Sequence, residues 1–195
     1  MLSRIYGNGR GWVFTPSHFQ GLGSRNAIDS ALKRHKKSGT IRQLALGLYD
    51  YPRRHAKLGL LTPSTDAIAK ALAGRDAVRL QPSGAYAANL LGLSDQIPMK
   101  VVFLTDGPTR SVKLGKQTIT LKRTTPKNMA TAGKKSGLVI QALRHLGQRH
   151  VDGDLIAKLR THLTDDDKKQ LQKDIIFAPA WVADAMRQID SPENS

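Results

Sequence analysis

Few residue patterns in this sequence could support catalysis, and each has a simpler structural interpretation. Gly7, Gly9 and Gly11 have the spacing of a phosphate-binding loop, but no strand precedes them and the Lys-Ser or Lys-Thr pair of a P-loop is missing. Asp152 and Asp154 have a spacing that could hold Mg²⁺ in a nucleotidyl transferase. Because both precede a predicted helix, where acidic side chains cap the helix and complement its dipole, we predict that they are helix caps.

The sequence also lacks the usual patterns of other nucleophiles and of metal ligands. The chain has no cysteine, which excludes disulfides, thiolate nucleophiles and cysteine-ligated zinc or iron–sulfur sites. Its six histidines form no i, i+4 pair of the kind that a helical zinc site uses. Ser83 lies next to Gly84 but lacks the nucleophile-elbow pattern. We therefore predict no catalytic residue, no metal and no cofactor, and we expect a protein that is not an enzyme.

The charge is the most informative property of the sequence. The 195 residues include 31 lysines and arginines against 15 acidic residues, a formal net charge of +16. Residues 1–60 hold eleven of these basic residues and two of the acidic ones. Such an excess predicts a polyanionic partner, since each neutralised phosphate releases condensed counterions. Nucleic acid is the first candidate, an anionic membrane surface the second and an acidic protein the third.

The first third of the chain predicts two helices separated by a tight turn. Thr15 and Pro16 are typical of the N-cap and the first position of a short helix. Ser24 caps a longer helix over about residues 25–37. Glycines lie between the two helices and after the second one, where a tight turn and a helix end require them. The pattern is that of a helix-turn-helix.

A β-hairpin is predicted immediately after the second helix. Residues 40–44 and 48–51 are strand-like, and a glycine turn separates them. Helix, helix and hairpin is the order of a winged helix, with Arg42 and the turn as the wing. A basic tail follows, placed to contact the DNA backbone. We therefore predict a winged helix-turn-helix DNA-binding domain over residues 1–57.

The second helix has one apolar face and one polar, basic face. Apolar residues recur along it at i, i+3 and i+4, from Ala27 to Leu32, and predict the buried face. The other face carries residue types that reach base edges and phosphates from a major groove. An ordinary solvated face is the simpler alternative, but the hairpin that follows favours DNA binding. The predicted DNA-contacting residues are Thr15, Ser24, Arg25, Asn26, Ser30, Lys33, Arg34, Lys37, Arg42, Arg53 and Arg54.

The remainder, residues 58–195, predicts a larger mixed α/β domain with a helical C-terminal part. In residues 58–123, helical segments alternate with strands, and residues 110–121 are expected to form a hairpin. Residues 124–195 contain four segments with helical apolar periodicity. The predicted fold class is therefore α+β.

Location and assembly are also constrained by the sequence. No segment approaches the ~18 continuous apolar residues of a membrane span, and the N-terminus lacks the apolar region of a signal peptide. We therefore expect a cytoplasmic protein without a membrane partner. Because no heptad seam argues for a dimer, we expect a monomer or a weak dimer.

Two groups of short motifs resemble a known family. Gly11–Thr15 (GWVFT) and Leu46–Tyr49 (LGLY) are similar to segments of its N-terminal winged helix. Gln81–Gly84 (QPSG) and Leu91–Ser94 (LGLS) are similar to segments of its second domain. The family is the AbiEi-like antitoxins of type IV abortive-infection toxin–antitoxin systems, and the resemblance extends over roughly residues 9–123.

The resemblance implies a function as well as a fold. It implies a winged helix that binds inverted repeats in the promoter of its own operon and represses it. It also implies a C-terminal domain that antagonises a cognate toxin, usually a nucleotidyltransferase-like protein, without necessarily forming a stable complex. The family's DNA-contacting positions that carry over by residue type are Arg25, Asn26, Lys33, Lys37 and Arg42. On this hypothesis, Lys33→Ala and Arg42→Ala each weaken promoter binding and leave the fold intact.

Two other functions are compatible with the sequence. One is a nucleotide- or RNA-modifying enzyme with a basic targeting arm, supported only by Asp152, Asp154 and the aspartates at 165–167. Binding of Mg²⁺ or ATP by residues 58–195 would favour it. The other is a plasmid- or phage-related transcriptional regulator without a toxin partner, which the absence of a toxin-like reading frame immediately downstream would favour.

Overall fold

Helices and strands both contribute to the fold. The computed structural model describes residues 1–74 and 78–191. Within them, helices are more abundant than strands, and the strands pair in antiparallel fashion. The predicted α+β class is therefore confirmed.

The chain forms two units, each assembled from two separate segments of the sequence. Unit 1 consists of Met1–Val78 and Arg110–Leu121. Unit 2 consists of Arg79–Thr109 and Lys122–Ser195. Each unit has its own apolar core, and each is described below by itself.

Unit 1 begins with the segments that were expected to form the helix-turn-helix and the hairpin. In chain order these are α1 (Leu2–Gly7), β1 (Val13–Phe14), a 3₁₀ helix (Pro16–Phe19), α2 (Arg25–Lys37), β2 (Arg42–Ala45) and β3 (Leu48–Asp50). The strands form an antiparallel three-stranded sheet in the order β1-β3-β2. The predicted second helix and the hairpin after it are thus present.

Helix α2 begins and ends where the sequence predicts. The Oγ atom of Ser24 accepts a hydrogen bond from the backbone N–H of Ala27 at 3.3 Å, and this caps the helix. Basic residues fill the last turn, where they complement the helix dipole. Ile28 and Leu32 are buried and hold α2 on the core of unit 1, whose other buried members are Ile5, Phe14, Phe19 and Ile41.

The basic tail predicted after the wing is a second short hairpin. Strand β4 (Arg54–His55) pairs with β5 (Gly59–Leu60) in antiparallel fashion. The Nδ1 atom of His55 accepts hydrogen bonds from the backbone N–H groups of Lys57 and Leu58 at 3.2 and 3.3 Å. These bonds fix the turn, so the basic side chains of this segment project from a hairpin rather than from an extended tail.

A third hairpin joins unit 1 from a distant part of the chain. Strand β8 (Arg110–Leu114) pairs with β9 (Gln117–Arg123), as predicted, around a turn in which Gly115 has a φ of +58°. Such a two-residue turn favours glycine because L side chains rarely adopt a positive φ. Strand β8 contacts β2 of the three-stranded sheet.

Residues 58–74 also pack within unit 1. Strand β5 pairs with β4, and helix α3 (Thr65–Ala73) packs against β1. The units therefore divide between residues 78 and 79, whereas the sequence suggested a boundary between residues 57 and 58. The predicted boundary marks the end of the DNA-binding domain, and whether DNA binding is confined to residues 1–57 stays a prediction.

Unit 2 is mainly helical. Its helices and strands are β6 (Leu80–Ser83), α4 (Gly84–Leu90), β7 (Lys100–Thr105), α5 (Pro126–Met129), α6 (Lys135–Leu146), α7 (Gly153–His162), α8 (Asp165–Asp174) and α9 (Ala180–Asp190). Strand β6 pairs with β7, and α6 packs against α4, α8 and α9. The predicted helical periodicity of the C-terminal part is confirmed, since Leu143, Leu159, Leu171 and Met186 are all buried in one core.

A buried carboxylate joins α6 to α8 in unit 2. Asp174 accepts hydrogen bonds from Lys134 Nζ at 3.1 Å, Gln170 Nε2 at 2.9 Å and Ser136 Oγ. Burial acts to raise the pKa of Asp174, but these three hydrogen bonds and the Lys134 charge outweigh it and lower the pKa below its usual value. The carboxylate therefore stabilises the fold at neutral pH, and this contribution is lost as the pH falls below the usual carboxyl range.

We predict that Asp174→Asn lowers the free energy of unfolding by about 1–3 kcal/mol at pH 7, because buried donors lose a charged acceptor. Asp184→Asn is the matched control. Asp184 pairs with Arg187 at 2.6 Å on the surface, where removal of an ion pair costs less than about 1 kcal/mol. Urea unfolding of both variants measures the difference, and equal losses would contradict the role assigned to Asp174.

Candidate nucleic-acid interface

The polar face of α2 is exposed along its whole length. Asn26, Ser30, Lys33 and Lys37 are exposed and follow one another at helical spacings of four, three and four residues. Side chains at these spacings lie on one face of a helix. The structure therefore brings four of the predicted residues into one stripe that points away from the core of unit 1.

Further cations flank this stripe. Arg25 at the start of α2 has 81% of its side chain exposed, although its Nε donates to Asp29 Oδ2 at 3.3 Å. Such an exposed pair is weak and can exchange for a phosphate. Arg34 is also exposed, and Lys36 Nζ donates to Gln43 Oε1 of β2 at 2.7 Å. The last bond ties the end of α2 to the sheet.

Two of the residues predicted to contact DNA, Ser24 and Thr15, form hydrogen bonds at the N-termini of helices instead. Ser24 caps α2, as described above. The Oγ1 atom of Thr15 lies 2.8 Å from Ser17 Oγ and 3.1 Å from His18 Nδ1, within the capping box of the 3₁₀ helix. Both hydroxyls therefore have structural roles, and the exposed stripe of α2 does not include them.

Arg42 is engaged within unit 1. Its Nε and Nη2 donate to the two carboxylate oxygens of Asp50 at 3.0 and 2.6 Å, and Nη2 also donates to the carbonyl of Leu61 at 2.8 Å. Asp50 is 1% exposed, so the guanidinium neutralises a buried charge. The expectation that Arg42→Ala leaves the fold intact must therefore be corrected. The turn between β2 and β3 instead presents Leu46, which is 97% exposed.

A polar hollow of about 300 Å³ lies near the C-terminal end of α2. Two arginines line it together with the hydroxyl-bearing Ser38 and Thr40. One is Arg54, which was predicted to bind DNA and is exposed in β4. The other is Arg10, which the sequence interpretation missed. Its guanidinium lies 4.8 Å from the ring centroid of Tyr51, a cation–π contact between residues too distant in sequence for a local pattern to indicate.

Gly11 lies against the side chain of Arg53. Gly11 has a φ of +95°, and a Cβ atom there would lie 2.6 Å from Arg53 Cδ. The positive φ favours glycine at this position, whereas the exposed and flexible side chain of Arg53 could move away from a Cβ atom. The glycines first considered as a phosphate loop thus include at least one that the backbone conformation accounts for.

The net charge is concentrated in unit 1. This unit contains 16 of the 31 lysines and arginines but four of the 15 acidic residues, whereas unit 2 contains 15 basic and 11 acidic residues. Three quarters of the net charge of +16 therefore belongs to unit 1. A surface with this imbalance attracts polyanions over a distance of about a Debye length, 8–10 Å at physiological ionic strength.

The acidic motifs of unit 2 have structural roles. Asp152 Oδ1 accepts a hydrogen bond from the backbone N–H of Leu155 at 2.9 Å and caps α7, as predicted. Thr164 and Asp167 form a capping box at the start of α8. Among residues 1–74 and 78–191, no group of three or more acidic or histidine side chains could hold a metal ion. Within the same residues, no helix is long and apolar enough to cross a membrane.

Comparison with known proteins assigns the chain to a family. The model of the family of unknown function DUF6088 matches residues 1–171, so the chain belongs to this family. The match includes all of unit 1 and most of unit 2. A comparison with curated proteins gives no significant match.

We predict that Arg42→Ala destabilises unit 1 by about 3–5 kcal/mol, because it leaves the buried Asp50 carboxylate without its partner. Arg54→Ala, which removes an exposed arginine, is the control and should change stability by no more than about 0.5 kcal/mol. Chemical denaturation followed by tryptophan fluorescence measures both variants. Similar stability of the two variants would contradict a structural role for Arg42.

The stability of unit 1 should also depend on His35 in α2. Burial, and next the positive charge of Arg34, lower the pKa of His35 below its ordinary value of 6.5. The unfolded chain therefore binds a proton at a higher pH than the folded chain, and stability falls as the pH drops below this value. We predict that His35→Gln reduces this loss between about pH 7 and pH 5. His145→Gln, which replaces an exposed histidine of unit 2, is the control. Unfolding curves at the two pH values test this, and an unchanged pH dependence in His35→Gln would contradict it.

Proposed function

We propose that this member of the DUF6088 family is a DNA-binding antitoxin of the type IV kind. In this proposal, unit 1 binds inverted repeats in the promoter of its own operon and represses it, and unit 2 antagonises a cognate, nucleotidyltransferase-like toxin. The observation that carries the DNA-binding part is the exposed stripe of Asn26, Ser30, Lys33 and Lys37 on a helix that a hairpin follows directly.

The order of the elements in unit 1 supports a winged helix. A short helical segment precedes α2 across a glycine-containing turn, and β2 and β3 follow as a hairpin. Strand β1 closes the sheet beside β3. In helix-turn-helix proteins of this kind the second helix enters the major groove, and its exposed residues contact base edges. Helix α2 has 13 residues and is therefore about 20 Å long, enough to follow the groove over several base pairs.

The chemistry of the exposed stripe suits this role. An asparagine side chain pairs with the N6 and N7 atoms of adenine, a lysine donates to the O6 and N7 atoms of guanine, and a serine can pair with several bases. Arg25, Arg34 and Arg54 flank the stripe and are suited to phosphates. Arg42 is left out of the proposed contacts, because it neutralises Asp50.

The antitoxin part rests on the resemblance to AbiEi-like antitoxins over roughly residues 9–123. It is tested by expressing this chain together with the product of the neighbouring reading frame. Restored growth of cells that express a toxic neighbour would support it. A neighbour that is not toxic, or toxicity that this chain does not relieve, would leave a transcriptional regulator without a toxin partner.

We predict that Lys33→Ala/Lys37→Ala weakens binding to the chain's own upstream DNA at least about tenfold, since a base contact is worth roughly 1–3 kcal/mol and each lost phosphate contact lowers the salt slope by about one. The matched control is Lys158→Ala/Lys173→Ala, which removes two exposed lysines from unit 2. Fluorescence anisotropy at two salt concentrations measures affinity and slope, and circular dichroism verifies the fold. Equal affinity of the two double variants would contradict the proposed interface.

A further inference from the structure

We infer that the hairpin β8–β9 is part of the DNA interface and binds backbone phosphates beside α2. This inference rests on the proposed function and deepens it. The hairpin follows α2 by more than seventy residues in sequence, yet its residues Arg110–Leu121 belong to unit 1, and its strand β8 contacts β2. It is therefore positioned by the same unit that presents α2.

The start of the hairpin reaches the start of α2. Arg110, the first residue of β8, lines a hollow of about 530 Å³ together with Arg25, Thr15, Ser17 and Gly47. The walls thus come from the 3₁₀ helix, α2, the turn of the wing and β8. Two cationic side chains therefore line one solvent-open hollow, which favours an anion there, although Arg25 also pairs with Asp29.

Arg110 is held in place by the backbone of unit 1. Its Nη1 atom donates to the carbonyl of Leu72 in α3 at 2.6 Å. Because this bond joins the first residue of β8 to the backbone of α3, it fixes the position of the strand relative to the helix. Arg110 is accordingly both an anchor of the hairpin and a cation beside the α2 interface.

The outer face of the hairpin has the composition of a phosphate-binding surface. Residues 110–121 contain three basic residues and no acidic one. Arg110 faces the buried Leu121 and so lies on the inner face, whereas Lys113 lies on the outer face and Lys116 in the turn. Val112 faces Ile119 across the hairpin, and Ile119 is buried, so the alternate positions lie on the other face. There Lys113 faces Thr118, and Ser111 Oγ lies 3.1 Å from Thr120 Oγ1. Ammonium and hydroxyl groups of this kind donate to phosphate oxygens without reading sequence.

The length of the hairpin fits several phosphates. At about 3.3 Å per residue, strand β8 extends about 13 Å from Arg110 to Leu114, and Lys116 lies in the turn at its end. Lys113 and Lys116 are both exposed. Duplex DNA carries one charge per about 1.7 Å of its axis, so a surface of this length faces several phosphates next to the groove that α2 would occupy.

The test compares Lys113→Gln/Lys116→Gln in the full chain with two matched double variants. Lys33→Gln/Lys37→Gln alters the proposed α2 contacts, and Lys158→Gln/Lys173→Gln alters exposed lysines of unit 2. Arg110 is left unchanged, because its replacement would also remove the bond to Leu72. Affinity for upstream DNA and for unrelated DNA is measured across a salt series, and hydroxyl-radical footprints are recorded on the upstream DNA.

We expect Lys113→Gln/Lys116→Gln to reduce the salt slope by about two and to weaken binding to both DNAs by similar factors, since phosphate contacts carry no sequence information. The footprint should become shorter at one edge. An unchanged slope and footprint in this variant, while Lys33→Gln/Lys37→Gln weakens upstream binding, would overturn the inference and leave the proposed function standing. If neither double variant differs from the unit 2 control, both the inference and the proposed function fail.

Discussion

The architecture of unit 1 depends on the ion pair between Arg42 and Asp50. Asp50 is buried and lies opposite Arg42 in β2 and opposite Val13 in β1, so the pair sits where all three strands meet. Arg42 also holds the carbonyl of Leu61, on the segment that leads into α3. A buried carboxylate is costly without a partner, and the bidentate geometry of the arginine supplies that partner. The sheet that supports α2 is therefore assembled around one charge pair.

Because Arg42 pairs with the buried Asp50, it is not free to bind a partner, whereas other cations of unit 1 are. Lys33, Lys37 and Arg54 project into solvent, and their mutual repulsion is compensated by few acidic residues in this unit. Such an arrangement destabilises the isolated unit slightly and favours association with a polyanion. Unit 2 has a smaller excess of positive charge, with 15 basic and 11 acidic residues. Two of its aspartates, Asp152 and Asp167, take part in helix caps, and Asp174 joins two helices. The two units thus differ in the partners that they could attract.

The sequence predicted the local features of unit 1 well. Ser24, the apolar face of α2 and the glycine turn of the 110–121 hairpin each depend on residues close together in the chain, and all are confirmed. Arg42 was assigned to DNA because its partner Asp50 depends on strand register, which no local pattern shows. The positions of Arg10 and Arg110 beside α2 depend on contacts between distant segments and could not be predicted in the same way.

In the proposed function, unit 1 recognises specific DNA rather than any polyanion. A gel-shift titration of the full chain with DNA from its own upstream region, against unrelated DNA of equal length as competitor, tests it most directly. We expect the upstream DNA to bind at least about a thousandfold more tightly, the lower end of the range for specific recognition, and this preference to persist at higher salt. Equal affinity for the two DNAs, at low and at high salt, would contradict the proposal.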